Sequence, residues 1–169
     1  MKIQYSPHVI SRPAELFLRK THLMEGFRIL IGEPCEEDFG KTSIEFLEID
    51  QRFRLVREPD GKLLMEYLSA KVNYHQQLPY LILLNENMPV VDGAKTLELI
   101  RANPILSGIP AMVYRLFPDG RVETVLISRG TQNVQSSCVT YTNLRSFVAD
   151  ISLFLLQMLP DSGDGVPEH

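Results

Sequence analysis

The sequence has no excess of positive charge: 17 basic residues stand against 21 acidic ones, a formal net charge of -4, with a pI near 5.6. Nucleic-acid binding leaves the opposite footprint, a strongly basic domain or face, so no nucleic-acid partner is expected. No stretch approaches the roughly 18 consecutive apolar residues of a membrane span. The first residues also lack the basic region, apolar run and small-residue cleavage site of a signal peptide. No membrane partner is expected, and the cytoplasm is the expected location. Cysteine is scarce. Cys35 and Cys138 lack metal-ligand spacing and fall in different predicted elements, so both read as reduced thiols, and no metal or other cofactor is expected. A glycine-rich phosphate loop is missing too, because Gly32-Glu33-Pro34 is too short and carries the wrong sign of charge.

What is present is a repeating strand and helix pattern. A chain of 169 residues is long enough for one domain that buries roughly 68 to 70 % of its unfolded surface. Its centre is LPYLILLNENMPVVDG, from Leu78 to Gly93. Leu81 to Leu84 are apolar without interruption, as in a parallel strand covered on both faces by helices. The run ends in Asn85, Glu86 and Asn87, at the strand end where open α/β sheets bind their ligands. Pro89 fixes the backbone, and Asp92 is placed to cap a helix through Leu97, Leu99 and Ile100 that stops near Asn103-Pro104.

The same alternation extends to both sides. Arg28 to Ile31 read as strand one, followed by a helix with acidic Glu36, Glu37 and Asp38 in its first turn and Phe39, Phe46 and Leu47 on its inner face. Phe53 to Val56 make strand two, Asp60-Gly61 a turn, and Leu63, Leu64, Tyr67 and Leu68 a helix. Ile109 to Tyr114 supply strand four. After the Pro118-Asp119-Gly120 turn, Val122, Val125 and Leu126 predict a short fourth helix. Ser137 to Tyr141 read as strand five. A last helix runs from Asn143 to about Leu159, with Leu144, Phe147, Val148, Ile151 and Phe154 as its stripe. Five strands alternating with helices predict an α/β fold with a doubly wound (βα)5 parallel sheet. Residues 1–26 fit no βα repeat and form an N-terminal extension, either a partly ordered tail or a segment that folds over the body or reaches a neighbouring subunit. Residues 27–160 form the domain, and 161–169 a polar Gly/Pro tail with nothing to bury.

The segment LILLNENMPVVDG resembles the phosphoacceptor segment of response-regulator receiver domains: an apolar strand, an aspartate, two residues, Met-Pro, two residues and Asp-Gly. Met88, Pro89, Asp92 and Gly93 keep that spacing, but Asn85 stands where the phosphorylated aspartate belongs. The resemblance covers about Phe27 to Pro160 and implies the flavodoxin-like strand order 2-1-3-4-5. It also implies that a pair of metal-binding acids has become Glu33 and Pro34, that Arg115 replaces a small hydroxyl residue, and that Tyr141 replaces a lysine. Cys138 falls at the switch aromatic and Thr142 at the cis-proline. Glu33, Pro34, Asn85, Asn87, Arg115 and Tyr141 would then form a degenerate phosphoacceptor pocket. An amide cannot serve as the nucleophile for an acyl phosphate, and Mg²⁺ wants anionic oxygens and water in octahedral array. No phosphotransfer, and no other enzymatic activity, is expected.

Arg115 and Glu33 are read either as unrelated strand-end residues or as an ion pair replacing the lost cation. Tyr141 is read as covering the core or as touching a ligand. For function, two classes stand: a signalling module that binds a protein partner without phosphorylation, and a small-ligand sensor using the carboxyl-edge pocket. In the last helix Leu153, Leu156 and Leu159 lie beyond the inner stripe, too much apolar surface for water. Receiver domains commonly pair through helix four, strand five and helix five, so a homodimer through that face is expected, with burial beneath residues 1–26 as the alternative.

Overall fold

The computed structural model describes residues 26–129 and 134–158. Apart from Gly26, the N-terminal extension lies outside them, as do Leu159 and the C-terminal tail. The elements are β1 (Phe27–Gly32), α1 (Glu36–Ile49), β2 (Phe53–Glu58), α2 (Gly61–Asn73), β3 (Leu81–Asn85), α3 (Gly93–Ala102), β4 (Ala111–Leu116), β5 (Val122–Arg129), β6 (Val134–Tyr141) and α4 (Leu144–Gln157).

β3 is the middle of the molecule for the reason its composition suggests. Leu81 to Leu84 are all fully buried, and because side chains alternate across a strand they feed two different cores. Leu81 and Leu83 join Ile29, Ile31, Phe46, Tyr114, Phe147, Val148, Ile151 and Leu155 under α1 and α4. Ile82 and Leu84 join Leu30, Leu64, Leu68, Leu97, Ile100 and Val113 under α2 and α3. Burying each such side chain stabilises by about 1.5–3 kcal/mol. Short polar side chains start three of the helices. Asp60, Asp92 and Asn143 accept from the backbone N–H groups of Leu63, Lys95 and Ser146 at 2.9, 2.8 and 2.8 Å.

The sheet order is β2-β1-β3-β4-β5-β6. The first four strands are parallel, in the expected order 2-1-3-4. The rest departs from the (βα)5 expectation. Val122 to Leu126 do not form a fourth helix: they belong to β5, which runs antiparallel to β4, and β6 runs antiparallel to β5. Only residues 117–121 separate β4 from β5, whereas a parallel crossover needs a dozen residues or more. The Pro118-Asp119-Gly120 turn closes a hairpin in which Phe117 N–H donates to the Arg121 carbonyl at 2.9 Å. Gly120 adopts a φ of +87°, which only glycine takes without strain. Val122 and Thr124 are buried on the α4 side and Val125 packs against the opposite core, a period of two rather than 3.6. Two antiparallel steps leave β6 pointing as the expected fifth strand does, but one place further out.

Some helix faces also differ from expectation. In α4 the buried apolar residues are Phe147, Val148, Ile151 and Leu155, joined by Ser152, while Phe154 is exposed. Leu47, Leu63 and Leu99 likewise face outward. Strand four begins at Ala111 rather than Ile109, whose side chain is nevertheless buried.

Candidate functional site

Three adjacent parallel strands deliver one polar side chain each to the same side of the sheet. Glu33 continues the parity of Ile29 and Ile31 beyond the end of β1, Asn85 that of Leu81 and Leu83 in β3, and Tyr114 is the β4 residue opposite Asn85. All three therefore turn toward α1 and α4. Glu33 is 1 % exposed. A carboxylate so buried must be satisfied by donors, and three reach it. Its Oε1 accepts from the Cys35 N–H at 2.9 Å, and its Oε2 accepts from Asn85 Nδ2 at 2.8 Å and from the Tyr114 hydroxyl at 2.5 Å.

Each donor is itself held. Asn85 Oδ1 accepts from the Asn87 N–H at 2.9 Å, so the amide is fixed at both ends and its orientation follows from the two partners. The Tyr114 ring is 2 % exposed and lies 5.8 Å from the Phe147 ring. Burial first, then the adjacent Glu33 carboxylate, pushes its phenol well above the usual tyrosine range. Arg57 reaches across from β2 to donate to the carbonyls of Glu33 and Pro34, both at 2.8 Å. The loop after β3 is pinned by Met88, buried in the core beneath α2 and α3. Gly93 starts α3 so close to Asn85 that a Cβ there would sit 2.4 Å from the Asn85 carbonyl oxygen.

Arg115 does not pair with Glu33. Next to Tyr114 in an extended strand, it turns to the opposite side of the sheet, where its guanidinium pairs with Glu86 and lies 5.6 Å from the Phe117 ring centre. With both carriers partly exposed, this pair contributes no more than about 1 kcal/mol and mainly orients the loop after β3. Together with Asn87, Met88, Pro89 and Asp92, the pair lines an open depression on that side.

Tyr141 is not brought to Glu33 either. It lies two strands beyond β4 at about 4.8 Å per strand, packs on Phe147 and donates its hydroxyl to Asp150 at 2.7 Å. Cys138 is exposed on β6 opposite Val125, and Cys35 is exposed ahead of α1. Leu153 is exposed and Leu156 half-buried.

The residues that do meet are a poor fit for a divalent cation. A carboxylate offers about four lone-pair sites, and three donors already point at Glu33. Asn85 brings no charge, and the Pro34 carbonyl is bound to Arg57. Sequence reasoning missed Tyr114 and Arg57. The readable signal for Tyr114 was its parity: it is the last buried aromatic of β4, one residue before Arg115.

No protein-family model matches this sequence, and no curated protein matches it. The fold is similar to those of solved response regulators. A two-component response regulator from Legionella pneumophila aligns with TM-score 0.56 and 17 % identity, over 78 % of this chain and 99 % of that one. The Mn(2+)-bound form of response regulator Rcp1 aligns with TM-score 0.51 and 23 % identity, over 79 % and 99 %. The bacteriophytochrome response regulator AtBRR aligns with TM-score 0.50 and 24 % identity, over 56 % and 69 %.

Proposed function

We propose that this protein is a receiver-like signalling module that accepts no phosphoryl group and works by binding a protein partner. The observation that carries the reading is the position of the Asn85 amide, held between the Glu33 carboxylate and the Asn87 N–H. The strand end that would present a nucleophile instead presents an amide whose oxygen is already an acceptor. An amide oxygen carries no charge and is not a nucleophile for phosphorus. Glu33, the one acid at this position, is enclosed by neutral donors rather than open to a metal. The module's output therefore lies in its surface, and the exposed side of α4 around Leu153 is the part assigned to a partner.

Incubation with acetyl phosphate or phosphoramidate and Mg²⁺, followed by intact-mass measurement, tests the reading. The expected result is an unchanged mass, for the wild type and for Asn85→Asp alone, since the variant still has Pro34 and Arg115 at the positions of a metal ligand and a phosphoryl contact. Gain of one phosphoryl group at Asn85 by the wild type would contradict it.

A further inference from the structure

The two edges of the sheet are finished differently. On one side β2 carries Arg54, Arg57 and Glu58, and Arg54 folds back onto the Gln51 and Phe53 carbonyls. Charges of this kind are how sheets discourage further strands from joining. On the other side β6, VQSSCVTY, has eight residues with no charge and no proline, and among the described residues it is paired only with β5. Cys138, Val139 and Thr140 are exposed.

Which backbone groups of β6 are free follows from the register. Phe117 N–H bonds the Arg121 carbonyl, so by alternation Glu123 and Val125 direct their backbone groups toward β4, and Val122 and Thr124 toward β6. Their partners, Tyr141 and Val139, are thereby used inward. The N–H and C=O groups of Ser136, Cys138 and Thr140 point outward, away from β5.

The helix beside this edge matches it. Asp150 of α4 takes the Tyr141 hydroxyl, so the stripe of α4 that includes Asp150 leans toward β6. Leu153 and Phe154, three and four residues on, share that stripe and are 56 % and 44 % exposed. An uncharged strand edge and the exposed apolar pair Leu153 and Phe154 thus lie side by side.

We propose that β6 pairs antiparallel with β6 of a second copy about a two-fold axis at Cys138, joining two six-stranded sheets into one continuous sheet. An identical strand fits because it brings no like charge opposite itself. Antiparallel pairing within one sheet sets the axis perpendicular to the sheet, so both α4 helices stay on one face and their Leu153 and Phe154 stripes turn toward each other. Cys138 stands opposite its own copy, with Val139 opposite Ser137 and Thr140 opposite Ser136. This rests on the partner surface assigned above to α4, whose occupant it names as a second copy, and is independent of the phosphoryl chemistry at Asn85.

The test uses the full chain. Light scattering at high micromolar concentration is expected to give twice the monomer mass for the wild type and for Cys138→Ser. Cys138→Lys and Cys138→Glu each place like charges opposite one another and are expected to be monomers when alone; mixed in equal amounts they are expected to recover the doubled mass. Thr140→Pro removes one outward N–H without touching the ladder to β5, and is expected to give a folded monomer by circular dichroism. A monomeric wild type would overturn the proposal. So would a dimer that survives both Cys138→Lys and Thr140→Pro, or a mixture that stays monomeric. A dimer that Leu153→Asp abolishes while those two edge variants leave it intact would overturn it in favour of a helix contact.

Discussion

Among the described residues the buried Glu33 carboxylate is held by neutral donors, an amide, a phenol and a backbone N–H, so removing any one of them leaves the charge short of a hydrogen bond. Tyr114→Phe takes away a hydroxyl 2.5 Å from Glu33 and is expected to cost about 1–3 kcal/mol. It also changes the alkaline limb. Because the folded-state phenol of Tyr114 lies above the usual range, the unfolded chain loses that proton first, near pH 10, and stability falls as pH rises from there. Tyr141, raised to about 12 chiefly by burial and then by its bond to Asp150, acts in the same direction. Thermal melts between pH 8 and pH 11 are expected to show a shallower loss for Tyr114→Phe than for the wild type. Asn85→Asp is expected to be worse at neutral pH, on the order of 3–5 kcal/mol, because it sets a second carboxylate against Glu33. Such a pair holds a proton that the unfolded chain gives up, so the variant recovers stability as pH falls toward the ordinary carboxyl range. Urea titrations at pH 5 and pH 8 read that trend. Of these residues, Glu33 and Asn85 were legible in the sequence, since each ends an apolar run. Tyr114 carried only the weaker signal of its parity, because an aromatic at the end of a buried strand looks like core until its neighbours across the sheet are known.

At the scale of elements, the loop between β3 and α3 holds a local conflict. Val90 has a φ of +66° in a tight turn where Val91 N–H bonds the Pro89 carbonyl at 2.8 Å. A β-branched residue in that region is strained by about 1–3 kcal/mol. Val90→Asn is expected to raise the melting temperature, as its side chain, like the 76 % exposed valine, meets only solvent. Helix α4 supplies a contrast between neighbours. Leu155→Ala is expected to cost about 2–5 kcal/mol, while Leu153→Ala is expected to change stability by less than about 0.5 kcal/mol. Denaturant midpoints of the two variants give the comparison. The parallel strands and their helices were readable from continuous apolar runs and capping residues. The β5–β6 hairpin was not read, because Val122, Val125 and Leu126 fit a helical spacing as well as a strand. Connection length separates the two: five residues allow a hairpin and forbid a crossover. On α4, nearly every residue from Ile151 to Leu156 is apolar, so its period alone did not choose between Phe154 and Leu155.

For the molecule as a whole, the strand ends that carry the site belong to β1, β3 and β4, three neighbouring parallel strands, while β5 and β6 build a separate flank whose outer strand is, among the described residues, paired only with β5. Among the described residues no helix is long and apolar enough to cross a membrane. The site and the flank meet at Phe147, which touches both Tyr114 and Tyr141. In the proposed function, the Glu33, Asn85 and Tyr114 hydrogen bonds occupy the place where a receiver would bind a metal and a phosphoryl group. Nuclear magnetic resonance of ¹⁵N-labelled protein, following the Asn85 side-chain amide and the Cys35 and Asn87 backbone amides during titration with Mg²⁺ and beryllofluoride, tests it most directly. All three signals are expected to stay in place to millimolar additions. Saturable, concerted shifts of the three would contradict it.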